Sequence, residues 1–408
     1  MTRNYYLKIF WNTLTNNSTK NQISIVLKTN FRKNLIMGNY AKKALKGASI
    51  TFIFSLLASI TAYFTRILLA RNLTPEDFGL FYAVFSFVIF FLFFRSLGLG
   101  QALVKYIAEF KVLNKFNEIK TSIISVFYLQ IVSSLIFGTI FFFTADYLAE
   151  IYFKNPQASI ILKFLIVYVI FSIFFIISKQ VFQGFQKMFL YSSVELSKNL
   201  IVLGLVIYFF SKEYTLFSPV YAFALVCPLL FILYLPSLLK VFNFSKHKIT
   251  NTKTISKKLI YFGIPVFATS VGGKIIGYID TLILTYFVSP TEVGIYNVVL
   301  PSALMFIFFS KAICSVIFPM SSELWTLNNK KTLIKGVSII HKYIFILITP
   351  IILSAVYFSP ALIRLLFGIE YISGSLAFQI LLLGVIFYVV ASINNNLISG
   401  IGKPKTVT

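Results

Sequence analysis

The sequence predicts an all-α fold: a polytopic membrane helical bundle built as two pseudo-symmetric lobes. Three observations predict it. The chain has 408 residues, 58% hydrophobic and only 12% charged, with a mean hydropathy of +0.85, a balance that soluble globular domains of this length do not carry. Apolar runs of about 20 or more residues recur, each long enough to cross roughly 30 Å of hydrocarbon as a helix. Lipid cannot satisfy open backbone groups, so such runs in series mean helices, and the alternating segments of about 10 residues that mark a β-barrel are absent. Finally, the chain matches itself. When residues 55–79 are shifted by 215, Ser55 falls on Ser270, Ser59 on Lys274, Tyr63 on Tyr278, Leu69 on Leu284, Pro75 on Pro290, Asp77 on Glu292 and Gly79 on Gly294. Phe91, Phe93 and Phe94 then fall on Phe306, Phe308 and Phe309. A duplicated polytopic protein usually builds a substrate path between its repeats, so transport is the leading functional class.

The elements follow in order. Residues 1–46 form a basic cytoplasmic tail rich in Asn, Thr and Lys, without sustained period, and are expected to be disordered. Met37 within it is an alternative start. No cleavable signal peptide is expected, because the first apolar span is too long and comes after this polar tail. The expected spans are 47–70, 78–103, 120–145, 159–182, 190–211, 217–240, 258–288, 293–320, 334–358 and 373–399. Six precede the longest connection, which gives an N-lobe over 47–245, a cytoplasmic linker over 246–258 and a C-lobe of four helices over 259–408. An even number of spans separates the two copies, so both enter from the same side and are related by an axis along the membrane normal. Gln183-Gly184-Phe185-Gln186-Lys187 near the end of the fourth span resembles Ser399-Gly400-Ile401-Gly402-Lys403 after the tenth. Two further helices follow this point in the first half, so 6 + 6 helices or more are expected. The chain therefore reads as a truncated product or fragment, with a natural ten-helix protein as the alternative.

A net charge of +25 raises the question of nucleic acid. Its placement answers it. Lys42, Lys43 and Lys46 lie in the tail; Lys105, Lys111, Lys115 and Lys120 in the second connection; Lys240 to Lys258 in the sixth; and Lys330, Lys331 and Lys335 in the eighth. The alternate connections hold one basic residue each at most: Arg71, Lys154, Lys212 and Arg364. By the positive-inside rule the lysine-rich connections and both ends of the sequence are cytoplasmic, in a plasma-membrane protein. The charge then serves topology and attraction to anionic lipid headgroups rather than nucleic acid. Cys227 and Cys314 fall inside spans, and His247 and His341 are too few for a metal cluster, so neither a disulfide framework nor a metal or other cofactor is expected.

Six basic residues lie within spans away from the basic connections: Arg66, Arg95, Lys163, Lys198, Lys274 and Lys311. A charge at membrane depth costs several kcal/mol unless it faces water or a partner. Lys274 stands sixteen residues beyond Lys258, about 24 Å up its helix at 1.5 Å per residue. Lys163 is close enough to its helix end to snorkel, Arg66 and Arg95 lie within about two turns of an end, and Lys198 follows Glu195 by three positions and can pair with it. Helical spacing puts Ser270, Lys274, Tyr278, Thr281 and Thr285 on one stripe, and Ser55, Ser59, Tyr63 and Arg66 on the repeat-equivalent stripe. Polar helix packing explains the serines. A water-filled cleft between two lobes explains Lys274 better, with Lys274, Arg66, Lys198, Lys311 and Arg95 as candidates for an anionic headgroup. Asp280 points about 120° away from Lys274, and can meet Arg66 across the cleft, sit in a fixed ion pair or take up a cation. Excess positive charge favours a phosphate-bearing substrate, and the surrounding Phe and Leu suit an acyl or isoprenoid tail left in lipid. Pro265 with Gly272-Gly273 can bend or unwind the seventh span. No Walker motif is present, and the short lysine-poor connections lack the acid–base constellation of a membrane glycosyltransferase or polymerase, so no enzymatic activity is expected.

Arg66-Ile-Leu-Leu-Ala-Arg71-Asn-Leu-Thr-Pro75-Glu-Asp-Phe-Gly79 resembles the oligosaccharide flippases of the multidrug/oligosaccharidyl-lipid/polysaccharide exporter superfamily, whose first helix ends in leucine-alanine-arginine before a proline-glutamate-x-phenylalanine-glycine turn. Asp280-Thr-Leu-Ile-Leu through Val293-Gly294-Ile-Tyr296 resembles the turn between the family's seventh and eighth helices, and Gly400-Ile-Gly402-Lys403-Pro404-Lys405 the segment after its tenth. The resemblance covers about residues 40–408. It implies a MATE/MurJ-like fold of twelve or more helices and Wzx-like export of undecaprenyl- or dolichyl-linked sugar units. The early stop departs from that pattern. The drug/cation antiporters and the lipid II flippases share the fold and are the alternatives. The implied partners are a lipid-linked oligosaccharide, membrane lipids and neighbouring glycan polymerases or glycosyltransferases.

Overall fold

The computed structural model describes residues 46–307, 317, 320–325 and 327–401. The tail to residue 45 with Met37, the residues Phe308, Phe309, Lys311 and Cys314, and the segment from Gly402 onward lie outside the described residues. Among the described residues, ten helices are long and apolar enough to cross a membrane. In chain order the elements are α1 (Lys46–Asn72), α2 (Pro75–Ser96), α3 (Leu99–Val112), α4 (Phe116–Ile151), α5 (Gln157–Gly184), α6 (Met188–Phe210) and α7 (Phe217–Val241). A short 3₁₀ turn, Phe244–Lys246, leads to α8 (Thr252–Phe287), then α9 (Pro290–Leu304), α10 (Lys330–Tyr357), α11 (Ser359–Phe367) and α12 (Ser375–Gly400). Each of the ten spanning helices overlaps a span expected from hydropathy, and α3 and α11 are short additional helices.

The repeat register reappears in the helix caps. Thr74 caps α2 by accepting from Asp77 N, with Pro75 in the first turn. At the position 215 residues later, Ser289 caps α9 by accepting from Glu292 N, with Pro290 in the first turn and a full capping box. A hydroxyl that satisfies an orphan amide and a proline with a pre-set φ both favour a sharp helix start, so α1–α2 and α8–α9 turn at matched residues.

The second expected span is broken. It ends at Ser96, and the chain turns through Leu97 (φ 44) and Gly98 (φ 68) before α3 begins. Gly98 serves two purposes here. It takes a left-handed conformation at little cost, and a Cβ on it would lie 2.1 Å from the Gly263 carbonyl oxygen on α8. The apolar pattern runs through the turn unchanged, so hydropathy cannot show the break.

Connections alternate between two faces, one lysine-rich and one lysine-poor. The buried side chains form two clusters. One joins Leu69, Phe78, Phe81, Leu165 and Val220 to Val293, Val298, Tyr371 and Leu382, across both repeats. The other lies toward the lysine-rich face and joins Leu103, Ile107, Ile123 and Ile177 to Phe242, Ile255 and Leu259. Both clusters gain from close packing rather than from leaving water, because lipid tails are as apolar as leucine. The large side chains left on the outside suit that solvent, as with Phe143 and Ile276, each 78% exposed.

Candidate functional site

Helices from the two repeats meet tightly at the lysine-poor ends of α2 and α9. A Cβ on Gly79 would lie 1.8 Å from the Pro290 carbonyl oxygen, and one on Gly294 would lie 2.1 Å from the Pro75 oxygen. Only two glycines allow the backbones so near. Around this crossing, Arg66 on α1 donates to the Asn297 carbonyl on α9 and stacks 4.1 Å from the centre of the Tyr82 ring. Tyr63 OH and Ser302 Oγ are 2.9 Å apart. Arg71 donates to the carbonyls of Leu365 and Leu366 on α11, and Phe78 packs edge-on against Tyr371. On the same face Tyr152 OH donates to the Leu282 carbonyl (2.6 Å) and Lys154 Nζ to the Tyr286 carbonyl (2.8 Å). Backbone carbonyls as acceptors give strong, orientation-fixing bonds to cations.

Toward the lysine-rich face the pattern changes. The start of α8 docks on the first repeat: Thr250 N donates to Thr121 Oγ1 and Lys248 N to Asn117 Oδ1, Phe262 packs edge-on against Tyr106, and Phe267 stacks on Phe93. By contrast α10 packs on α11 and α12, and α12 on α9, α10 and α11, and neither makes an extended contact with α2–α7. From Ile264 to Asp280 no residue of α8 is buried, and among the described residues Gly272, Gly273 and Gly277 have no neighbour within 4 Å of a would-be Cβ. The helix runs through Pro265 and the glycine pair without a break.

The candidate residues divide across these regions. Lys274 is exposed, near the middle of α8, with the Tyr278 ring 5.8 Å from its ammonium, and it forms no ion pair among the described residues. Ser270 and Tyr278 are half-buried beside it, Ser270 bonded to its own helix at Val266 O. Thr281 is buried. On α1, Ser55 and Ser59 are exposed and Tyr63 and Arg66 are half-buried in the crossing. Asp280 does not meet Arg66; Tyr296 OH donates to it at 2.7 Å, and its other oxygen caps Thr281 N. Arg95 neither snorkels nor joins the exposed stripes: it is 1% exposed inside the first repeat, bonded to Ser134, Val169 O and Ser172. Lys198 pairs with Glu195 at 2.5 Å, as its spacing suggests, but Lys179 holds the other carboxylate oxygen at 2.7 Å. Lys163 reaches Asp146 at 2.9 Å. Lys311 lies outside the described residues.

Sequence reasoning missed Lys179 and the role of Asn297. Lys179 lies near the end of its span and so reads as an interface residue, and its partner is on the next helix, which spacing along one helix cannot reveal. Asn297 acts through its carbonyl, which carries no side-chain signal at all.

Residues 44–325 match the family described as polysaccharide biosynthesis protein. A membrane protein of Methanocaldococcus jannaschii, described as uncharacterized, is 32% identical over 385 residues, 91% of this chain and 76% of its own length. Among solved structures, the fold is similar to an inward-facing multidrug resistance MATE family transporter of the MOP superfamily, with a TM-score of 0.67, 13% identity and coverage of 88% of this chain and 86% of that one. It is also similar to the lipid II flippase MurJ in an inward closed conformation, with a TM-score of 0.68, 18% identity and coverage of 88% and 77%. A MOP superfamily transporter from Pyrococcus furiosus aligns with a TM-score of 0.54 at 14% identity, over 88% of this chain and 81% of that one.

Proposed function

The chain belongs to the polysaccharide biosynthesis protein family, and on that premise we propose that it is a flippase that carries a polyprenyl-linked oligosaccharide from the cytoplasmic to the outer leaflet. It is a multi-pass membrane transporter of the MOP superfamily. The observation that carries the finer reading is Lys274: an exposed cation at mid-helix, without an ion-pair partner among the described residues. Such a group is costly in lipid unless it faces water or an anionic ligand, and a pyrophosphate is the anion that a lipid-linked sugar presents.

In this reading the lysine-rich face is cytoplasmic. The Gly79–Gly294 crossing with the Arg66 and Tyr63 bonds closes the outer face, and the exposed Ser55, Ser59 and Lys274, with the half-buried Ser270, open inward. The headgroup enters beside Lys274 while the polyprenyl tail stays in lipid, and rocking of the two lobes reverses access. Lys198 is neutralised by Glu195 and takes a lesser part. The half-buried Asp280, held among the described residues by Tyr296 and its own helix, favours a second reading, in which this carboxylate couples movement to a cation, as a drug/cation antiporter requires. Glycosyltransferases and a glycan polymerase would supply and consume the substrate.

The test is Lys274→Ala expressed in a flippase-deficient strain. Glycan export should fall at least about tenfold, the effect of losing about 1.4 kcal/mol of substrate binding, with membrane insertion unchanged and Lys274→Arg partly active. Export equal to that of the parent would remove the site.

A further inference from the structure

A second cationic group lies inside the first repeat, enclosed by α2, α4 and α5. Arg95 Nη1 donates to Ser134 Oγ and Ser172 Oγ at 3.0 Å and to the Val169 carbonyl at 2.7 Å. All three acceptors are neutral. Arg95 Nε and Nη2 are buried with no protein partner. The same is true of both amide atoms of Gln130, which is 0% exposed and sits one helical turn before Ser134 on α4. Buried polar groups in proteins are nearly always satisfied, and three of these four atoms, Arg95 Nε, Arg95 Nη2 and Gln130 Nε2, are donors that call for an acceptor.

Charge narrows what that acceptor is. A guanidinium does not shed its proton in a protein, so Arg95 cannot become neutral. Among the described residues no carboxylate pairs with it. Glu195, on α6, is already shared between Lys179 and Lys198. Water would satisfy the hydrogen bonds and leave the charge uncompensated in a low-dielectric interior. Tyr168 and Cys227, the other titratable groups within electrostatic reach of Arg95, are both buried and offer hydroxyl and thiol donors rather than negative charge.

We propose that Arg95 and Gln130 hold a small monovalent anion of the chloride class between α2, α4 and α5, separate from the exposed Lys274 region. Nε–H and Nη2–H of Arg95 donate to it, with the Gln130 amide turned so that Nε2 donates as well. The size limit follows from enclosure: both side chains are at most 1% exposed, which leaves no opening for a phosphate ester or a sugar. The anion balances Arg95 and ties three helices of the first repeat together.

The experiment uses the purified full chain in lipid nanodiscs. Apparent Tm is followed as chloride replaces gluconate at constant ionic strength, and again with bromide. The parent should rise by a few degrees with saturation, as any ligand specific to the folded state produces. Arg95→Met should lose the response, Gln130→Leu should shift its midpoint at least about tenfold, and Lys274→Ala should keep it. Bromide crystals of the parent should give an anomalous peak between Arg95 and Gln130, a readout that does not depend on whether Arg95→Met folds. A parent without a saturable anion response and without that peak contains only water at the site, and overturns the proposal. A response abolished by Lys274→Ala but kept by Arg95→Met would place the anion beside α8 and overturn it equally, while leaving the flippase reading intact.

Discussion

A single methyl group at Gly79 should shift the protein between its conformations. The Cβ of Gly79→Ala would sit 1.8 Å from the Pro290 oxygen and 2.6 Å from Gly294 N, both backbone atoms that cannot rotate away. Ordinary van der Waals contact begins at 3.4 Å, so α2 and α9 must part by about 1.6 Å at the crossing. Overpacking of this kind typically costs about 1–3 kcal/mol. In the proposed cycle of alternating access, this strain would exist only while the lysine-poor face is closed. A transporter that alternates between closed and open arrangements should therefore shift toward the open one by roughly 5–150-fold. Spin labels at Asn72 and Leu365, both exposed on that face, report the separation by pulsed electron resonance. The parent should show the short distance, and Gly79→Ala a longer or mixed distribution. Gly204→Ala is the control, because nothing lies within 4 Å of its Cβ. A folded Gly79→Ala variant with the parent's distribution would refute the view that this crossing holds the face shut.

Three other perturbations have defined outcomes. Lys163→Ala should change neither stability nor export measurably, because its pair with Asp146 is exposed, with side-chain accessibilities of 35% and 77%, and solvent screens such pairs almost completely; a loss of several degrees in Tm would contradict this. Glu195→Gln leaves Lys179 and Lys198 facing each other without their shared carboxylate and should destabilise by about 1–3 kcal/mol, toward the lower end because the site is partly exposed. Adding Lys198→Met should restore most of that in a thermal melt, and failure to do so would mean that the three groups are not coupled. Cysteines placed at Lys248 and Lys154, both exposed, should be labelled from the cytoplasm and from outside respectively, and strong external labelling at position 248 alone would invert the orientation.

The spans were legible in the sequence because lipid imposes both length and apolarity on each helix, and these are properties of composition. The matched turns were legible because Thr74-Pro75 and Ser289-Pro290 carry cap chemistry in the side chains themselves. The site was legible in its parts rather than in its arrangement. Depth along a helix identified Lys274 as costly, and one-helix spacing paired Lys198 with Glu195. Neither consideration says which way Arg66 turns, since its acceptor is a main-chain carbonyl on another helix. Burial of Arg95 also escaped notice. Two turns from a helix end normally suffices for snorkelling, but here α2 ends at Ser96 and Arg95 is held by Ser134, the Val169 carbonyl and Ser172 on two other helices, partners that hydropathy does not show.

The docking of α8 has a mechanical consequence. The chain crosses from one repeat to the other only once in its described length, through residues 242–252, and that strand of connection is clamped. Lys120 Nζ donates to the carbonyls of Phe244 and His247, and the His247 ring is sandwiched between Phe116 and Phe242. Ile255 and Leu259 are then buried in the first repeat's own cluster. A loop that would serve as a slack tether is thus a splint, and the first three turns of α8 travel with the helices that precede them. Compliance is displaced into the helix itself, between Gly263 and Thr281, where no side chain is buried and Pro265, Gly272, Gly273 and Gly277 weaken the rod. The seam between the two sequence repeats and the least supported stretch of α8 are therefore different places, and that stretch is the one that presents Lys274.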